Sequence, residues 1–233
     1  MENISRIKKI SIWVFIIPIL VLNLCLFISV NYHLFENTIF SVDQIGRSGF
    51  TIPYLDGGIS ISRSSRTYPT YLLFKPGMIL TAILLIQYWI ANNKLFKSID
   101  NEKKKNNLFL FFGIGSALFL IIHAIFLGLD IENNLYKFSR RIVLLGFIIF
   151  EIIAQSLLVR TIIKVKSNII NLINKKILML KIILISILII TAFLSAPILN
   201  SSEYTHFKHG LEWNYFVGVI VFYLLTFFFW KKQ

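Results

Sequence analysis

Charge is scarce in this sequence. Only 15% of the 233 residues are Asp, Glu, Lys or Arg, where a soluble domain carries about 25%. Acids are scarcer than bases, 11 against 24, so the chain is strongly cationic at +13. There is one cysteine, Cys25, which excludes an intrachain disulfide and leaves the redox compartment unread. Glycine-rich phosphate loops, a nucleophile elbow, a Walker-type lysine and the HExxH zinc spacing are all missing. Enzymes that announce themselves by a local motif are thereby set aside, and neither a metal nor a cofactor is implied. No internal repeat or low-complexity tract is visible.

What fills the chain is apolar. Hydrophobic residues make up 56% of it and the mean hydropathy is +0.74. The few charges cluster between long charge-poor runs, and a run of about 18 such residues or more belongs in a bilayer. The basic residues interrupt these runs and do not line one face with stacking aromatics, so they do not indicate a nucleic-acid partner.

The runs predict an all-α integral membrane protein: a six-transmembrane-helix bundle, in one membrane domain over 1–233. The helices are expected near 10–30, 71–92, 107–129, 142–163, 182–199 and 213–230. The first follows Arg6, Lys8 and Lys9 like a signal sequence, but it is too long and no small-residue cleavage site follows, so it reads as a retained helix. Lys/Arg counts then orient the bundle. With the N-terminus inside, most basic residues fall inside, including Lys94, Lys97, Lys103, Lys104, Lys105, Arg160, Lys164, Lys166, Lys175, Lys176 and Lys181. That is the positive-inside bias, and Lys231 and Lys232 favour a C-terminus on the same side. The inner lysines would also attract anionic headgroups, by about 1 kcal/mol each. The expected location is a multi-pass position in the plasma membrane if the source is prokaryotic.

The longest connection is the outer segment 31–70. Its aromatic and apolar content (Phe40, Phe50, Tyr54, Leu55) predicts an ordered cap, with alternation suited to short strands at 38–42 and 58–62. Trp213 and Trp230 bracket the last span as interfacial anchors, and Tyr88, Trp89 and Trp13 read likewise.

Polar residues inside the spans are the candidates for chemistry. Glu151 lies mid-span with Gln155 one turn on, sharing its face. Such a carboxyl either serves a proton-relaying or headgroup-binding site or acts as interhelical glue. His123 in the third span is placed to pair with it. On the outer side Glu203, His206, His209 and Glu212 recur every third residue, with Asp56 and Asp130 on the same side. With His33 also outside, a metal or acid–base cluster there, or plain solvated side chains, are the alternatives, and the spacing favours the solvated reading over a metal.

Two stretches resemble the DRAM/Frag/Sfk family of six-span membrane proteins. The first begins Ile61-Ser62 and continues to Pro69 and Phe74, leading into the second helix; the second is Glu212-Trp213, followed by Tyr223-x-x-Thr226-Phe227. Arg63, Ser65 and Thr70 depart from the family's usual acidic, Gly and Glu residues. The family includes a phospholipid-asymmetry regulator and a factor in GPI-lipid remodelling. With the absence of a catalytic motif, the resemblance implies a non-catalytic protein that binds or organises membrane lipids at the outer interface, with Ser62, Pro69, Glu212 and Trp213 as binding candidates; Glu151 and Gln155 join them on their mid-span position. Two alternatives stand beside it. One is a lipid hydrolase or acyltransferase using His123, Asp130, His206, His209 and Glu212. The other is a proton-coupled transporter using Glu151.

Overall fold

The computed structural model describes residues 2–99, 108–129, 134–199 and 203–231. It contains α1 (Glu2–Val30), α2 (Ile61–Ser65), α3 (Thr70–Ile99), α4 (Leu108–Phe126), α5 (Asn134–Lys164), α6 (Lys166–Ile169), α7 (Lys175–Leu199) and α8 (Thr205–Phe229). All but α2 and α6 are long and apolar enough to cross a membrane, which makes six spans. The chain is a polytopic, all-α membrane protein.

Except for α4, which stops at Phe126 within its expected span, the spanning helices outrun the apolar windows that mark them. α1 begins at Glu2 and α7 at Lys175, each about two turns before its charge-free run, and α3 continues to Ile99. Hydropathy measures the hydrocarbon thickness, whereas backbone hydrogen bonding carries a helix on through the headgroup layer. Pro18 and Pro76 sit inside α1 and α3 without ending them, as neighbouring helices permit in lipid.

The spanning helices form a closed ring in chain order. α1 packs on α3, α3 on α4, α4 on α5, α5 on α7, α7 on α8, and α8 returns to α1. Of the six spans, α3 is 44% buried and α7 only 22%. α7 consequently presents most of its isoleucine and leucine surface outward, as a lipid-facing helix does.

At one end the ring carries the cap formed by residues 31–69. No strand occurs among the described residues, so the alternating segments at 38–42 and 58–62 are not β. The local hydrogen bonds go elsewhere: Ser60 accepts from the N–H of Arg63 at 3.1 Å and starts α2, and Asn37 is left-handed at φ 61°. The cap is tied to α1 by Ser29 Oγ donating to Ser64 O at 3.2 Å and by Ser48 N–H donating to Ser29 O at 2.9 Å. At the opposite end Lys231 N–H donates to Leu172 O, and Lys8 Nζ to Trp230 O at 3.0 Å.

The aromatic anchors are placed differently from the sequence expectation. Tyr88, Trp89 and Trp213 are 0% exposed and Trp230 is 2% exposed; only Trp13, at 53%, faces outward. These rings fill the bundle instead of lying in an interfacial belt. Trp89 stacks over Gly113, where a Cβ would lie 2.3 Å from the indole. The ring can approach α4 only because that position has no side chain.

Candidate functional site

Two polar constellations stand out, one where the cap meets α8 and one at the centre of the ring.

The first terminal turns of α8 grip the cap. Trp213 Nε1 donates to Ile59 O at 2.9 Å and Asn214 Nδ2 to Tyr54 O at 2.7 Å, and His209 Nδ1 lies 3.0 Å from Gly57 O. The Glu212 carboxylate accepts from the backbone N–H groups of Ile61 and Ser62 at the start of α2. Tyr54 stands edge-on to Trp213, centroids 5.0 Å apart. Within the cap, Asp56 accepts from Thr51 Oγ1 at 2.5 Å and from the N–H groups of Gly58 and Ile52, both at 2.8 Å. Those donors, with His206 nearby, hold the Asp56 carboxyl below its ordinary range. The motif residues Ser62, Glu212 and Trp213 thus meet in space, and what they hold is the cap. Pro69 opens α3 through the connection from α2.

The histidines expected on the outer side do not form a group of three: His206 and His209 are neighbours at the start of α8, and His123 stands apart from them. His123 is buried against the Phe74 ring of α3, with no partner for its Nδ1 among the described residues. His209 belongs to the cap contact and His206 is exposed. Asp130 lies outside the described residues. Among the described residues no group of three or more His, Cys, Asp or Glu could hold a metal ion.

At the ring's centre Glu151 accepts hydrogen bonds from helices that neighbour α5 and from α5 itself. Ser116 Oγ of α4 donates to Oε2 at 2.6 Å, Gln155 Nε2 donates to Oε1 at 3.0 Å, and the Tyr223 hydroxyl of α8 donates to Oε1. Gln155 Nε2 also reaches Val219 O at 3.2 Å. All four side chains are buried. The expected pairing of Glu151 with His123 is not formed. Its partner on α4 is Ser116, and His123 lies two turns, about 10 Å, further along that helix.

Beside this group is a second one that the sequence concealed. Lys181 of α7 is 0% exposed, although its position just before an isoleucine run placed it among the basic connections. Its Nζ donates to Thr226 Oγ1 at 2.6 Å and lies 3.9 Å from the Phe222 ring centroid. Tyr88 of α3 shares the same hydroxyl at 3.2 Å, and Thr226 donates to Phe222 O. Among the described residues no carboxylate lies within ion-pair distance of Lys181. The two groups meet where the Tyr88 and Tyr223 rings pack edge to face, 4.9 Å between centroids.

A buried acid and a buried amine therefore sit in one bundle without pairing. Either would be expensive alone in hydrocarbon, and each is met by hydroxyl, amide or aromatic groups and not by an opposite charge.

No protein-family model, no curated protein and no solved structure matches this chain.

Proposed function

We propose that this chain is a lipid-binding or lipid-organising membrane protein of the DRAM/Frag/Sfk type, with both termini cytoplasmic and the cap in the outer headgroup layer. The carrying observation is the cap's surface. Phe50, Leu55 and Ile39 are 87%, 85% and 81% exposed, with Leu34 and Ile45 also outward. A cap joined directly to the ends of α1 and α3 stands at headgroup level, where apolar side chains can enter the acyl boundary.

Basic side chains accompany them. Arg66 is held below its ordinary range by burial and by the facing Arg140 and Arg63. Lipid phosphates would relieve that mutual repulsion. Each apolar side chain moved out of water contributes about 1.5–3 kcal/mol, against about 1 kcal/mol for each arginine at an anionic surface. The apolar contribution therefore dominates. Ser62, Glu212 and Trp213 serve this role indirectly, by fixing the cap on α8.

The test is thermal stability of the purified chain across zwitterionic, anionic and glycolipid additions. The wild type gains stability with at least one class. A triple variant Ile39→Ser, Phe50→Ser, Leu55→Ser keeps the lipid-free midpoint and loses most of the gain. Lipid-independent stability in the wild type, or an unchanged response in the triple variant, would sink the proposal.

A further inference from the structure

We propose that Glu151, Gln155, Ser116 and Tyr223, with the carbonyl of Val219, form a binding site for one sodium ion, for which a proton competes.

A carboxylate at the centre of a membrane bundle is stable only when its charge is neutralised. The nearby amine does not do this, because Lys181 Nζ is committed to Thr226 and the Phe222 ring. That leaves a proton or a small cation at Glu151. The surrounding atoms are hard oxygen donors, the ligand type of non-transition cations. Oε2 of Glu151 lies 2.6 Å from Ser116 Oγ, while Oε1 meets the Tyr223 hydroxyl and Gln155 Nε2, which in turn reaches the Val219 carbonyl, so α4, α5 and α8 all contribute.

Gln155 supplies the second observation. It is 0% exposed, and its Oε1 is buried with no hydrogen-bond partner. Its Nε2 meanwhile fills the space between Glu151 Oε1, at 3.0 Å, and Val219 O, at 3.2 Å. The two ends of the amide are nearly the same size. A half-turn about its last torsion brings the unpartnered Oε1 into the place of Nε2. Three oxygens then face one gap and repel one another unless a cation lies between them. In the present orientation the gap is closed by the amide N–H, and a proton on Oε2 neutralises Glu151 by donating to Ser116 Oγ, whose own hydrogen then turns to Gly113 O.

Charge selects the valence. One carboxylate and one monovalent ion leave the core neutral, whereas a divalent ion leaves a net positive charge in hydrocarbon. Size favours sodium over potassium, because the polar atoms stand only 2.6–3.2 Å from one another and a larger ion has to spread them further. Ser116 Oγ also lies 2.8 Å from Gly113 O. By donating there, the hydroxyl turns a lone pair toward the ion. Tyr223 donates to the carboxylate and closes the site on the side of Tyr88 and Lys181. Neither the cap nor any lipid enters this inference, so it stands or falls apart from the lipid proposal.

The purified full-length chain in detergent is treated with dicyclohexylcarbodiimide, which reacts with protonated carboxyl groups in apolar surroundings. Mass spectrometry locates the adduct. Glu151 is labelled in choline chloride, and sodium at ten times its Kd slows labelling about tenfold, while potassium at equal concentration does not. Gln155→Ala keeps the label and loses sodium protection; Glu151→Gln loses the label. A second readout is the melting temperature, which sodium raises over choline in the wild type and not in Glu151→Gln. Labelling that responds to pH and is indifferent to sodium makes this a proton site only and overturns the proposal. Should the wild type resist the reagent, an equal melting temperature in sodium and choline overturns it as well.

Discussion

The indole N–H of Trp213 in α8 donates to the carbonyl of Ile59, 154 residues earlier in the chain, at 2.9 Å. That bond joins the last spanning helix to the segment following the first one. It is flanked by the Asn214 bond to Tyr54 and by the Glu212 contacts to Ile61 and Ser62. The cap is thus held to α8 by side-chain bonds as well as to α1 through Ser29.

Trp213→Phe removes the bond while retaining most of the ring's packing on Tyr54. It leaves the Ile59 carbonyl buried without its partner, which costs about 1–3 kcal/mol. The expected outcome is a lower melting temperature together with faster proteolysis within 31–60, while cleavage at the opposite end of the bundle is unchanged. Uniform acceleration of cleavage at both ends would show that Trp213 supports the whole bundle and not the cap.

Gly57 makes the same junction sensitive to a single methyl group. Its φ is +62°, and a Cβ there would lie 1.8 Å from the backbone oxygen of His206. Gly57→Ala incurs about 1–2 kcal/mol from the left-handed backbone alone, and the clash with α8 adds to it. Because the obstructing atom is backbone, rotamer adjustment gives no relief. Cap proteolysis should exceed that of Trp213→Phe, whereas Gly49→Ala, where nothing lies within 4 Å of the added methyl, should behave as wild type.

The architecture was legible wherever hydrocarbon dictates composition. Six charge-poor runs became six spanning helices, and Glu151 with Gln155 drew notice because a carboxyl and an amide one turn apart are rare in lipid. The partners of Glu151 were not legible. Ser116 is tolerated freely in a span, since its hydroxyl can bond to a carbonyl of its own helix, as it does to Gly113 O, and Tyr223 reads as one more aromatic of the last span. Trp213 misled for a related reason. An amphipathic ring suits an interfacial belt, but it suits a buried site just as well when its N–H finds an acceptor, and the acceptor for Trp213 lies in a different part of the chain; Trp89 and Trp230 are buried without such an acceptor among the described residues, and ring packing alone accounts for them. Lys181 was hidden by adjacency: a lysine one residue before an apolar run reads as a flanking charge until helix packing turns it inward.

Acid should loosen the cap through Asp56. Its folded-state value is lowered by Thr51, Gly58, Ile52 and the neighbouring His206. The stabilisation is therefore fully present above the unfolded value of about 3.9, and is lost as pH falls through the lower folded value. Protease sensitivity within 31–60 should be flat down to about pH 4 and rise only below it. Asp56→Asn should be sensitive already at neutral pH and show no such step. A wild-type transition centred above the ordinary carboxylate range would assign acid loosening to another group.

Lys181 and Thr226 permit a test of whether the buried amine stabilises the bundle or burdens it. An ammonium in the core is costly, and one hydroxyl at 2.6 Å with one aromatic face returns part of that; the aromatic contact contributes about 2 kcal/mol when desolvated. Lys181→Met keeps the stem's length and packing while deleting the polar head, so stability should be unchanged or improved, as when buried charges give way to apolar side chains of similar volume. Thr226→Val has the opposite sign. It preserves shape but removes the acceptor shared by Lys181 and Tyr88, which strands two buried donors at about 1–3 kcal/mol each. The double variant should recover part of that loss, because the stranded amine is gone, and the recovered fraction measures the coupling between the two positions. If Lys181→Met is instead strongly destabilising on its own, the amine is a structural keystone between α7 and α8, and its burial needs no other role.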